Sequence, residues 1–142
     1  MKKVIVSLFF TVSIFSMAVA QQSGSLNFLK QYNGKYPHDV NLFSNPDLKA
    51  TLQKLLGTQF TYLVKNIFQT EAPVKIANNF VYLWGMQDNS GGDPSATILA
   101  DVGGNILYVK ILKDNQTKIY AEDGSGAVTK EVDDWAQKQS PN

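Results

Sequence analysis

The chain has 142 residues, with 13 basic and 12 acidic side chains, a net charge of +1, no cysteine and one histidine. Every basic residue is a lysine, so the forked donors and basic patches that recognise nucleic acid are missing. No cysteine means no disulfide framework, and His38 alone cannot make a structural zinc site or a centre built on several imidazoles.

In chain order, Met1-Lys2-Lys3 precedes an apolar run over residues 4–15 and then Ser16-Met17-Ala18-Val19-Ala20. A basic start, a short hydrophobic stretch and a closing Ala-x-Ala predict a signal peptide over residues 1–20. The run is short for a bilayer span and no second one follows it, so stable membrane insertion is not expected. Residues 21–142 then form a single domain, slightly acidic once Lys2 and Lys3 are removed, in the periplasm or outside the cell.

Residues 21–35 are polar around Leu26, Phe28 and Leu29 and predict a short helical turn or ordered lead-in. Residues 36–43 are expected to be an extended approach segment, because Pro37 disfavours helix in the residue before it. Ser44-Asn45-Pro46-Asp47 is a helix start: Ser44 or Asn45 can cap, Pro46 suits the first helical position, and Asp47 complements the dipole. Leu48, Leu52, Leu55 and Leu56 form one apolar stripe and Gly57 stops the helix. Phe60, Leu63, Val64, Ile67 and Phe68 repeat the stripe in a second helix over residues 58–68.

The period then changes. Strands are predicted over residues 73–77, 80–84, 96–100, 106–112 and 117–121, separated by turn signals such as Asn78-Asn79, Gly103-Gly104 and Asp114-Asn115. A last helix carries Val128, Val132 and Trp135 on one stripe. The expected fold is α+β, an antiparallel five-stranded meander sheet with helices packed on one face. Strands 80–84 and 106–112 carry apolar residues on both faces and are expected to be central, with the second face partly exposed.

Chemistry-bearing patterns are few. His38 has Asp39 beside it but no nucleophile on a strand-to-helix elbow. Asp88-Asn89-Ser90-Gly91-Gly92-Asp93 fails as a calcium loop, since Gly92 and Asp93 occupy its fifth and sixth positions and Leu99 its twelfth. Asp88, Asp93, Asp101 and Asp114 all sit at loops or strand ends, and their spacing favours no pair for acid–base chemistry. The sequence therefore assigns no catalytic residue, no metal ligand and no cofactor. What stands out is the long Gly- and Pro-containing loop over residues 85–94, because long loops on rigid scaffolds carry binding.

Two short helices, Pro73-Val74-Lys75-Ile76, an aromatic strand, a Gly-containing loop and Ala96-Thr97-Ile98-Leu99-Ala100-Asp101-Val102-Gly103-Gly104-Asn105-Ile106-Leu107-Tyr108-Val109 together resemble the inhibitor of vertebrate lysozyme family. The resemblance covers roughly residues 36–122, and lies nearest to small exported bacterial relatives of that family. It implies an antiparallel sheet with helices on one side. It also implies a loop that enters the lysozyme cleft, with a loop His meeting the catalytic carboxylates and a disulfide holding the loop rigid. Gly85 fits that pattern, but Met86 stands at the first Cys, Gln87, Asp88 and Asn89 replace the stretch bearing the His, and Gly91 or Gly92 stands near the second Cys. Tyr36-Pro37-His38-Asp39-Val40 echoes the family's loop sequence, but lies ahead of the helices and is read as coincidence.

The candidate partner-binding residues are Met86, Gln87, Asp88, Asn89 and Asp93, and the candidate partner is a lysozyme-like enzyme or another envelope protein. Without a bridge, the loop is expected to be unclasped in the free protein, so that binding has to order it. The competing reading is a structural or envelope-associated domain without inhibitory activity.

Overall fold

The computed structural model describes residues 24–125 and, in the C-terminal segment, residues 130, 133, 134 and 138. Residues 1–20 and the Val128, Val132 and Trp135 stripe lie outside the described residues. Leu26–Tyr32 is a 3-10 helix capped by Ser25, with Leu26 and Leu29 buried beneath it. The next segment is not extended as expected. Asn41 N–H donates to the His38 carbonyl and Leu42 N–H to the Pro37 carbonyl, so residues 37–41 curl into turns leading to a 3-10 turn, Leu42–Ser44. Pro37 constrains only the residue before it, and Asn41 takes the left-handed conformation (φ 50°) that closes the curl.

Helix α1 (Pro46–Leu56) starts as its sequence dictates. The Asn45 side-chain oxygen accepts from the Asp47 and Leu48 N–H groups at 3.0 and 3.2 Å, and Pro46 fills the first position, where no donor is needed. Leu48, Leu52 and Leu56 are buried along one stripe, and Gly57 ends the helix at φ +57°. Helix α2 (Gln59–Tyr62) runs into a wider π turn, Leu63–Ile67, in which Phe68 N–H reaches back to the Leu63 carbonyl.

The sheet has six strands rather than five: β1 (Thr70–Glu71), β2 (Lys75–Ala77), β3 (Phe80–Met86), β4 (Ser95–Asp101), β5 (Ile106–Lys113) and β6 (Gln116–Ala121), all paired antiparallel. β1 and β2 both lie along the same side of β3, and β3-β4-β5-β6 follow in meander order. The split has a cause at Pro73, which has no N–H to give a ladder. Ala72 still donates to Trp84, but Val74 turns away and exchanges hydrogen bonds with Gly34 and Lys35. Glu71 pairs Gly85 and Lys75 pairs Tyr82, so the edge carries one residue more than β3 over this stretch, a bulge.

Alternation divides the sheet cleanly. Val81, Leu83, Ile98, Leu107 and Val109 are fully buried under α1, α2 and the π turn, together with Leu48, Leu52, Leu63 and Ile67. The other face holds Tyr82, Trp84 and Leu99, only 6, 3 and 2% exposed, with Phe80, Met86 and Tyr108 packed around them. This face is better covered than its sequence suggested. Large aromatic rings shield one another, and Asp133 of the C-terminal segment forms an ion pair with Lys110 on this side.

Gly85 sits where the helical layer touches the sheet. A Cβ there would lie 2.6 Å from the Phe68 ring, which is itself packed edge-on against Phe43 at 4.8 Å. Gly85→Ala is expected to destabilise the fold by about 1–3 kcal/mol in urea unfolding; unchanged stability would mean that the ring relocates freely.

Candidate functional site

The connection from β3 to β4 begins as a continuation of the ladder. Met86 pairs Ser95, and Gln87 N–H donates to the Pro94 carbonyl at 3.1 Å. Inside this neck the chain folds on itself. The Ser90 hydroxyl donates to the Gln87 carbonyl at 2.7 Å and accepts from Gly92 N–H at 3.3 Å, while Asp93 N–H donates to the Ser90 carbonyl. Asn89 (φ 57°) and Gly91 (φ 65°) turn the chain through left-handed positions that few other residues adopt at low cost.

Two carboxylates tie this loop to its neighbours. Asp88 accepts from the Thr70 hydroxyl at 2.5 Å, and its N–H donates to the Gln69 side chain at 3.0 Å, which fastens the loop to β1. Asp93 accepts from the backbone N–H groups of Asp114 and Asn115 at 2.9 and 2.7 Å, which fastens it to the β5–β6 turn. The expectation of an unclasped loop is therefore corrected: hydrogen bonds to the flanking elements hold it where a disulfide would.

The five candidate residues are brought to one end of the sheet with different exposures. Asp88 and Asn89 are exposed at the tip, and Gln87 is half-buried at the neck. Met86 is the last residue of β3 and packs on the aromatic face of the sheet. Asp93 is half-buried and engaged by the neighbouring turn. From sequence, Thr70, Gln69, Asp114 and Asn115 were assigned no part in holding this loop, because that part depends on a two-residue strand and on a register that spacing alone does not give. Asp101 lies at the opposite end of β4 from the loop and accepts from Gly104 N–H, apart from Asp88 and Asp93.

A concavity lies on the helical side of β1. It is a groove of about 350 Å³ with Phe43, Phe60, Val64 and Phe68 in its lining and His38, Lys49 and Glu71 among its polar groups. Glu71 accepts from the His38 backbone N–H at 2.6 Å. Burial pushes its carboxyl above the ordinary value of 4.5, and Asp39 adds to the rise; the His38 hydrogen bond and charge oppose it. β1 thus holds the loop through Thr70 and the 37–41 turn through Glu71. Among the described residues, no group of three or more His, Asp or Glu is placed to hold a metal ion, and no helix is long and apolar enough to cross a membrane.

The family model described as inhibitor of vertebrate lysozyme (Ivy) matches residues 47–142, most of the chain. The protein belongs to the inhibitor of vertebrate lysozyme family. Neither the curated proteins nor the solved structures gave a match. The match takes in α1, the whole sheet and the β3–β4 loop, and it begins after the 37–44 segment that closes one side of the groove. In this Ivy-family protein the loop is thus part of the family unit, and the His38 turn is set against it by Glu71.

That contact has a pH signature. The folded protein binds the Glu71 proton more tightly than the unfolded chain does, so stability from this group falls as pH rises above 4.5 through the raised folded value. Glu71→Gln keeps an oxygen for His38 N–H and never ionises. Urea unfolding is expected to find the variant at least as stable as wild type near pH 7, with the difference shrinking towards about pH 4. A less stable variant at neutral pH would show that the ionised carboxylate is needed.

Proposed function

We propose that this protein is an exported inhibitor of lysozyme or of another peptidoglycan-degrading enzyme, and that it makes contact through the 87–94 loop. Membership of an inhibitor family carries this reading, and a clasped loop projecting beyond the sheet supports it. On this reading Asp88 and Asn89 meet the partner, Gln87 borders the contact, and Met86 and Asp93 hold the loop from below. No residue is given a catalytic role, because the protein acts by occupying its partner and needs no cofactor for that.

Export is part of the proposal. The basic start, apolar run and Ala18-Val19-Ala20 support a signal peptide over residues 1–20, a working domain over residues 21–142, and a periplasmic or secreted location. The exported form is expected to begin at Gln21, which an intact mass measurement checks.

The loop lacks the histidine and both cysteines that the family resemblance implies, and this favours a second reading, an envelope-associated domain without inhibitory activity. A panel of lysozymes and amidases separates the two. The wild-type domain is expected to inhibit at least one. A variant with residues 88–92 replaced by an Asn-Gly turn should keep its circular dichroism spectrum and lose about 100-fold or more in affinity. Absence of both inhibition and complex across the panel would leave the second reading standing, and equal inhibition by the loop variant would move the contact elsewhere.

A further inference from the structure

We infer that Asp93 is a positioning residue: its carboxylate holds the 87–94 loop in the shape that meets the partner, and it does so by borrowing the β5–β6 turn as a fixed support. The inhibition arm of the test below rests on the proposed function, and the loop-order arm does not.

The register brings the two segments to the same end of the sheet. Ser95 pairs Leu112 on β4 and β5, so extending the antiparallel pairing by two residues sets position 93 opposite position 114. There β5 turns into β6 through Asp114 and Asn115, both left-handed (φ 54° and 57°), between the paired Lys113 and Gln116. In a two-residue hairpin of this kind the amides of the turn residues have no partner in the ladder. They are two adjacent donors with nothing to bind within their own hairpin. Asp93 supplies an acceptor to each, 2.9 Å to Asp114 N–H and 2.7 Å to Asn115 N–H, and ionised acceptors make the stronger class of hydrogen bond.

Among the described residues, no other hydrogen bond on this side ties the arm to a neighbouring element. The remaining hydrogen bonds of residues 90–93 run within the loop, to Gln87 and Ser90. Asp88 anchors the other arm, to Thr70 on β1. The segment between the anchors contains Asn89, Gly91 and Gly92 at positive φ, and the two glycines there have the widest backbone freedom of any residue. Released at Asp93, this arm keeps only its internal turn, and binding would then have to order it afresh.

The experiment separates loop position from hairpin stability by working in an Asn115→Gly background, where Asp114-Gly is a turn sequence that closes without outside help. Asp93→Ala and Asp93→Asn are made in that background and in the wild type. Backbone order parameters of residues 89–92 are expected to fall from about 0.85 to below about 0.6 in Asp93→Ala, while those of β3 and β4 stay unchanged. The affinity for the enzyme of the panel that the wild type inhibits is expected to weaken by about 10- to 100-fold, with Asp93→Asn between, because its amide keeps one neutral acceptor.

Unchanged order in residues 89–92 would overturn the inference, as would a loosened loop that inhibits as well as before. Loosening in a protein whose wild type inhibits none of the lysozymes and amidases of the panel would keep Asp93 as the loop's clasp and remove the proposed function instead.

Discussion

β4 is covered on both faces from Ser95 to Ala100, and it is paired along its full length on both sides. Ile98 and Ala100 lie under the helices while Thr97 and Leu99 lie among the aromatic rings of the opposite face. A slip of one residue would exchange these sets, pushing Thr97 into the leucine core, so the register is fixed by burial rather than by any turn. Everything at the loop end of the sheet follows from that register. It sets Met86 against Ser95 at the neck, and Asp93 beside the β5–β6 turn.

This geometry offers an alternative to a covalent clasp. The bridge that the family resemblance implies closes a loop on itself and constrains the unfolded chain as well. Here the loop is instead fastened outward, to β1 through Asp88 and to β5–β6 through Asp93. The two solutions differ in where the restraint resides. Hydrogen bonds to elements distant in sequence restrain only the folded protein, so the loop's shape depends on the sheet being assembled.

Much of this was legible in the sequence. Asn45-Pro46-Asp47 announced α1, Gly57 its end, and the leucine spacing its buried stripe. Four of the five expected strands appear as β3 to β6, and the fifth appears shortened as β2. What was hidden depends on tertiary partners. β1 is only two residues long and exists because β3 offers it a side, and the 37–41 turns are fixed by local carbonyls and by Glu71. The clasp was hidden for the same reason: Asp93 is 21 residues from Asp114, and only the β4–β5 register joins them. Asp93 stood among the partner-binding candidates for its place in the long loop alone, and in the fold its carboxylate is engaged by the β5–β6 turn.

The bulge at Pro73 has a meaning for the protein's solution behaviour. The edge strand of a sheet offers unpaired amides and carbonyls to any extended chain that meets it, which is how strands of separate molecules join. On the β1–β2 side that row is interrupted. Pro73 contributes no amide, Val74 has turned inward to Gly34 and Lys35, and charged Glu71 and Lys75 flank the gap. A foreign strand could follow this edge for only two or three residues before losing its partner. The edge that anchors the loop is also built to refuse polymerisation, a useful property for a chain with no covalent crosslink to resist it.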